Sequence, residues 1–184
     1  MAIATRTEQR RLSEGALGCL VCQAEYVVRD GEVLFGPSVA SDSMAADDEE
    51  TLRAAALLHL EERRLYLLDG GWASLALALQ ALVDVDLLLA DPPAAQAASV
   101  AGQGVLRGVD ARWPLGAAAL HGLALDRASP GLLADAVRVL RPRGRLVAPV
   151  AASVPAGVTE LARDDRHWVA EKTADVVTLA RARR

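Results

Sequence analysis

Aromatic side chains make up only 3% of the 184 residues: three Trp, two Tyr and one Phe. A core for a chain of this length must therefore be built mainly from Ala, Leu and Val, and the hydrophobic fraction of 52% is ample for one. Lysine is almost missing as well, Lys172 being the one lysine among twenty basic residues. With Ala so abundant, the Arg-for-Lys bias fits a high-GC bacterial genome and says nothing about chemistry. Positive charge is not in excess: the net charge is −4, which argues against a general nucleic-acid binder. Two cysteines spaced C-x-x-C are too few for a disulfide framework and fit a reducing compartment. No basic N-terminal segment runs into a long apolar stretch, so no signal peptide is expected. The longest apolar run, 73–83, is interrupted by Ser74 and Gln80 and is too short to span a bilayer. The cytoplasm is the expected location, without membrane contact. A Walker loop and a nucleophile elbow are absent too.

What is present divides into two sections. Residues 1–13 are polar and read as a loose arm. Residues 15–22 carry the two cysteines, and the β-rich run 26–35 is split by Asp30-Gly31, a hairpin signal because Gly tolerates positive φ. Residues 37–44 read as a linker. Asp47, Asp48, Glu49 and Glu50 place acids in the first turn of a helix, where the dipole favours them; that helix is expected to run to Arg64 with Leu52, Ala55, Ala56 and His59 or Leu60 inward.

From Leu65 onward strand and helix patterns alternate: strands at 65–68, 85–90, 104–109, 122–125 and 145–150, helices at 74–83 and 131–140, and a turn at Arg141-Pro142-Arg143-Gly144. Strands separated by helical segments predict a parallel sheet covered on both faces. The stretches 164–172 and 175–181 read as a terminal antiparallel hairpin. The expected organisation is an N-terminal arm, hairpin and linker over 1–44, then an α/β domain over 45–184.

The run Leu67-Leu68-Asp69-Gly70-Gly71, an apolar strand entering an acid and glycines, is similar to the first motif of class I S-adenosylmethionine (SAM)-dependent methyltransferases of the small-molecule type. Asp91, at the next strand end, stands where that family places an acid for the ribose hydroxyls, and Val109-Asp110-Ala111-Arg112-Trp113-Pro114-Leu115 resembles its segment beside the adenine. The element Arg138-Val139-Leu140-Arg141-Pro142-Arg143-Gly144-Arg145-Leu146-Val147 matches a structural turn of the same family. The resemblance covers about three quarters of the chain. It implies a Rossmann-like three-layer sandwich with a mostly parallel sheet, a C-terminal antiparallel hairpin and a small N-terminal hairpin appendage. It also implies SAM as cofactor, held by Asp69, Gly71, Asp91 and Asp110.

The departures shape the functional reading. The family's second and third glycine positions fall on Ala73 and Leu75, with Trp72 between, and added Cβ atoms there crowd the methionine half of SAM. The interval from Asp91 to Gly104 is short for a strand–helix–strand crossover. The Cys19–Cys22 pair with its hairpin resembles half of a zinc ribbon, but a structural zinc wants four ligands and a second pair is missing, so a metal-free hairpin is expected. His121 reads as a surface or strand-cap residue rather than a base, His167 as a cross-strand packing partner beside Trp168, and Asp84, Asp86 and Asp126 as solvated turn acids. The reading is a degenerate methyltransferase-like domain that works as a non-catalytic binding or structural partner, of another protein or of a second copy of itself. The alternative is an active SAM-dependent methyltransferase acting on a small metabolite. If a partner is bound, 94–101 and the helix before Leu65 are the expected docking surfaces.

Overall fold

The computed structural model describes residues 2–8, 11–18, 23–38, 40–94, 103–127 and 129–173. Its centre is the strand β5 (Leu65–Asp69), flanked by β6 (Asp86–Ala90) and β8 (Leu120–Ala124), with β7 (Gln103–Arg107) beyond β6 and β9 (Leu140–Pro149) beyond β8. All of these neighbours pair in parallel. Parallel strands are covered on both faces and so read as continuous apolar runs. In β5 this is literal: Leu67 faces one core cluster, while Tyr66 and Leu68 face the other. The helices α1 (Asp48–Leu58) and α2 (Ala76–Leu82) cover the second face and α3 (Pro130–Val139) the first, giving three layers.

Two of the expected edges differ. The chain begins as a meander of β1 (Ala2–Glu8), β2 (Arg11–Gly18), β3 (Glu25–Arg29) and β4 (Glu32–Leu34). The polar arm is therefore largely a strand. The meander is no detached appendage either, because β4 runs parallel to β7 and extends the main sheet, with Val33 opposite Leu106. The Asp30-Gly31 hairpin forms as expected, with φ of 51° and 78° at its two turn residues. At the other edge the hairpin is β10 (Val158–Arg163) with β11 (His167–Lys172), one strand earlier than expected, and β11 pairs antiparallel with β9. The expected second strand at 175–181 lies outside the described residues, as do Cys19, Cys22 and most of 94–101. Among the described residues five strand pairings are parallel and five antiparallel, so the sheet is mixed rather than mostly parallel.

Helix α1 begins as its acids predict: Asp47 accepts the Glu50 backbone N–H at 2.8 Å, a cap worth about 1 kcal/mol. It ends at Leu58, short of Arg64. The Tyr66 phenol on β5 accepts the Glu61 N–H and donates to the His59 carbonyl, turning the chain out through a left-handed His59. Its buried face is Thr51, Ala54 and Leu58, while Leu52, expected inward, is 59% exposed. The turn expected at 141–144 is a bulge within β9: Leu120 lies opposite Leu140, but Gly122 lies opposite Arg145.

Candidate functional site

In open α/β sheets, ligands bind outside the carboxyl ends of the parallel strands, where the strand order reverses. Here that place lies around β5, since the chain steps outward from it on one side to β6 and β7 and on the other to β8 and β9. Asp69 ends β5 and Asp91 follows β6, and both are fully buried. Asp91 adopts a left-handed φ of 43°, a conformation a non-glycine residue keeps only when its surroundings hold it.

The surroundings do hold it. Asp91 Oδ1 accepts from the Gly108 backbone N–H at 2.8 Å and from the Ser38 hydroxyl at 2.9 Å. Its other oxygen accepts from Arg127 Nη2 at 3.0 Å, and the same nitrogen donates to Asp69 Oδ1 at 2.9 Å. Asp69 Oδ2 accepts the backbone N–H groups of Asp126 and Arg127, each at 3.2 Å. One guanidinium thus bridges both strand-end acids. Burial pushes the Asp69 carboxyl above the ordinary aspartate range, and the hydrogen bond and charge of Arg127 offset only part of this. For Arg127, burial works against the charged form, but its bonds to Asp69 and Asp91 hold its proton more tightly than usual.

The glycines sit on the same ledge. The chain leaves Asp69 through a 3-10 turn over Gly70–Leu75, with Gly70 at φ 59°. A Cβ on Gly70 would lie 2.5 Å from the Asp126 carboxylate and 2.9 Å from Ser41 Oγ. On Gly71 it would lie 2.8 Å from the Asp42 carbonyl oxygen, and the Gly71 N–H donates to Asp126 Oδ2 at 3.1 Å. Asp126 is exposed, as expected of a turn acid, and it also braces the glycine turn. Residues 36–38 and 40–44 reach the same edge. They meet Gly108 at Gly36, where a Cβ on Gly108 would run into the Gly36 carbonyl group. Ser38 then reaches Asp91, and Ser41, Asp42 and Met44 reach the glycine turn.

Of the four residues expected at the cofactor, Asp69, Gly71 and Asp91 gather here. Asp110 is exposed and takes no part in this network. Trp72 is fully buried; its Nε1–H donates to the Leu125 carbonyl at 3.2 Å and its ring meets His167 edge-on at 4.9 Å. His167 lies opposite Pro149 of β9, as a cross-strand residue should, and its ring packs on Trp72 rather than on Trp168. Trp168 is buried with the opposite face and donates to the Ala152 carbonyl. Arg127 and Ser38 escaped sequence reasoning. The only signal for Arg127 was a basic residue directly after the strand-end acid Asp126.

Asp91 thus takes three protein donors, two on Oδ1 and one on Oδ2, of the roughly four a carboxylate can accept, and Ser41, Asp42 and Met44 lie against the glycine turn. Two atoms beside it are left over: Ser41 Oγ and Arg127 Nε are buried without a hydrogen-bond partner. Among the described residues no three His, Cys, Asp or Glu side chains gather as metal ligands would, and no helix is long and apolar enough to cross a membrane.

No family model matches the chain, and no curated protein does. Solved structures do. A SAM-dependent methyltransferase of Methanococcus maripaludis described as putative superposes with a TM-score of 0.51 at 10% identity, over 70% of this chain and 85% of that one. A Haloferax volcanii complex between the Trm112 methyltransferase activator and a methyltransferase gives 0.51 at 15% identity, over 61% and 68%. For a methyltransferase of Anabaena variabilis from an antibiotic biosynthesis pathway the values are 0.48 and 16%, and the match spans only 45% of that chain. Together with the β7-β6-β5-β8-β9-β11-β10 order, the two superpositions at 0.51 give the chain a class I methyltransferase-like, Rossmann-like fold.

Proposed function

We propose that this protein is a methyltransferase-like domain that has given up methyl transfer and serves as a non-catalytic binding or structural partner. One observation carries the reading: a single guanidinium, Arg127, closes both strand-end acids, while Ser38 and the Gly108 N–H take the remaining oxygen of Asp91. An internal ion pair stands where the fold otherwise leaves acceptors for a ligand. Residues 1–44 then act with 45–184 as one closed unit, their linker lying on the glycine turn.

The second reading, an active SAM-dependent methyltransferase on a small metabolite, is favoured by Ser41 Oγ and Arg127 Nε. Buried polar atoms are normally paired, and these two line the same ledge. In that case Asp69, Gly71 and Asp91 would hold the cofactor once the 36–44 segment lifts. The two readings separate in a thermal-shift titration with SAM and S-adenosylhomocysteine. A ligand that binds only the folded state raises the melting temperature with concentration. The degenerate reading expects a flat response to millimolar ligand. A saturable rise that disappears in Asp91→Ala sinks it.

A further inference from the structure

The amino ends of the same strands carry a different site. A cavity of about 180 Å³ opens there, between the exit of α1, the starts of β5 and β8, and the β9 bulge. With a water occupying about 30 Å³, it has room for a tetrahedral oxyanion and a few waters. Its lining includes Arg64, Arg141, Arg143, Arg145, His121 and Glu61. Four guanidinium groups therefore face one carboxylate. Arg64 sits 3.5 Å from Glu61, and Arg145 leans on Glu171 at 3.6 Å. Among the described residues no carboxylate pairs with Arg141 or Arg143. The bulge supplies the spacing: 141, 143 and 145 are alternate residues of one strand, and the register shift swings them out at its start. Arg141 Nη1 points at His121 Nε2. A guanidinium can only donate, so Nε2 accepts and the imidazole proton sits on Nδ1. Both that Nδ1 and Arg145 Nε are buried without a hydrogen-bond partner. The uncompensated positive charge of Arg141 and Arg143 at the mouth of one concavity is what a planar or tetrahedral oxyanion satisfies, through forked guanidinium bonds.

The geometry points to an anion-binding site for phosphate or a small phosphomonoester at the amino edge of the sheet, held by Arg141 and Arg143 with His121 and Arg145 behind them. It is independent of whether the carboxyl edge binds SAM. The test is a titration of isotope-labelled full-length protein with inorganic phosphate, against potassium chloride at matched ionic strength, following the His121 ring by NMR. The expected result is a saturable shift with a millimolar Kd, and a His121 titration moved upward, because a bound anion favours the imidazolium. The Arg141→Ala/Arg143→Ala double variant should weaken binding by at least about tenfold, and Arg141→Lys should weaken it less, since charge survives while the fork is lost. Arg112→Ala, on an exposed arginine away from the cavity, should bind as the parent does. Should the double variant fold poorly by circular dichroism, Arg143→Ala alone takes its place. A shift that chloride reproduces, or one that survives loss of both arginines, overturns the site. Binding of a short single-stranded oligonucleotide without binding of phosphate overturns the small-anion assignment.

Discussion

The two ends of the parallel strands are built on opposite electrostatic terms. At the carboxyl end, two buried acids share one internal guanidinium, Arg127, and Ser41, Asp42 and Met44 lie against the glycine turn. At the amino end, four arginines and two histidines surround a cavity with one carboxylate in its wall. The end where this fold ordinarily takes its ligand has its charges spent on folding. The opposite end has charges to spare. Stability and binding should therefore respond in opposite ways to removing an arginine from each.

The largest effect belongs to Arg127→Met. It strands two fully buried carboxylates, and breaking a buried pair this way costs about 3–5 kcal/mol at neutral pH by urea unfolding. The sign with pH is fixed. Asp69 already has a raised pKa, so the folded state binds more protons than the unfolded one above the ordinary aspartate value, and stability falls as pH rises through that window. Without Arg127 the window widens upward, so the gap between variant and parent should shrink as the pH is lowered. A gap that does not change with pH would mean the acids are not what Arg127 holds.

Next comes Gly108→Ala. Its φ of 70° and the Gly36 backbone standing where a Cβ would go make a methyl group costly on both counts, and a loss of about 3 kcal/mol is expected by urea unfolding. Ser38→Ala removes one hydrogen bond to a buried carboxylate and should cost about 1.5 kcal/mol in the same measurement. Smallest of all is Arg141→Ala at the other end. An exposed guanidinium with no carboxylate partner should change stability by no more than about 0.5 kcal/mol, with either sign. If Arg141→Ala proved as damaging as Arg127→Met, the contrast between the two ends would fail.

Much of this molecule was legible in its sequence where the determinants are local. The Asp30-Gly31 turn, the acidic start of α1 and the apolar run of β5 each declare themselves within a few residues. So do the order of the later strands and the presence of Asp69 and Asp91 at strand ends. What sequence reasoning missed depends on distant partners. The inward face of α1 was misjudged at Leu52, because the helix packs through the smaller Thr51 and Ala54. Strand β10 is exposed along most of its length and has no apolar alternation to announce it. Residues 37–44 read as a linker because the contacts of Ser38, Ser41 and Asp42 use backbone atoms and small side chains, which leave no hydrophobic period. Arg127 bridges residues 58 and 36 positions away, and nothing local distinguishes it from a solvated arginine. The sequence did mark the glycine turn as altered, through Trp72, Ala73 and Leu75. In the structure Trp72 is turned into the core, and Cβ atoms on Gly70 and Gly71 would meet Asp126, Ser41 and Asp42.

The central claim is that Asp69 and Asp91 are closed by the chain itself. Isothermal calorimetry of the full chain with SAM, run beside Arg127→Met and Ser38→Ala, tests it most directly. The account predicts no measurable heat of binding for the parent up to millimolar SAM. Micromolar binding to the parent, abolished by Asp91→Ala and left intact by Asp110→Ala, would contradict it.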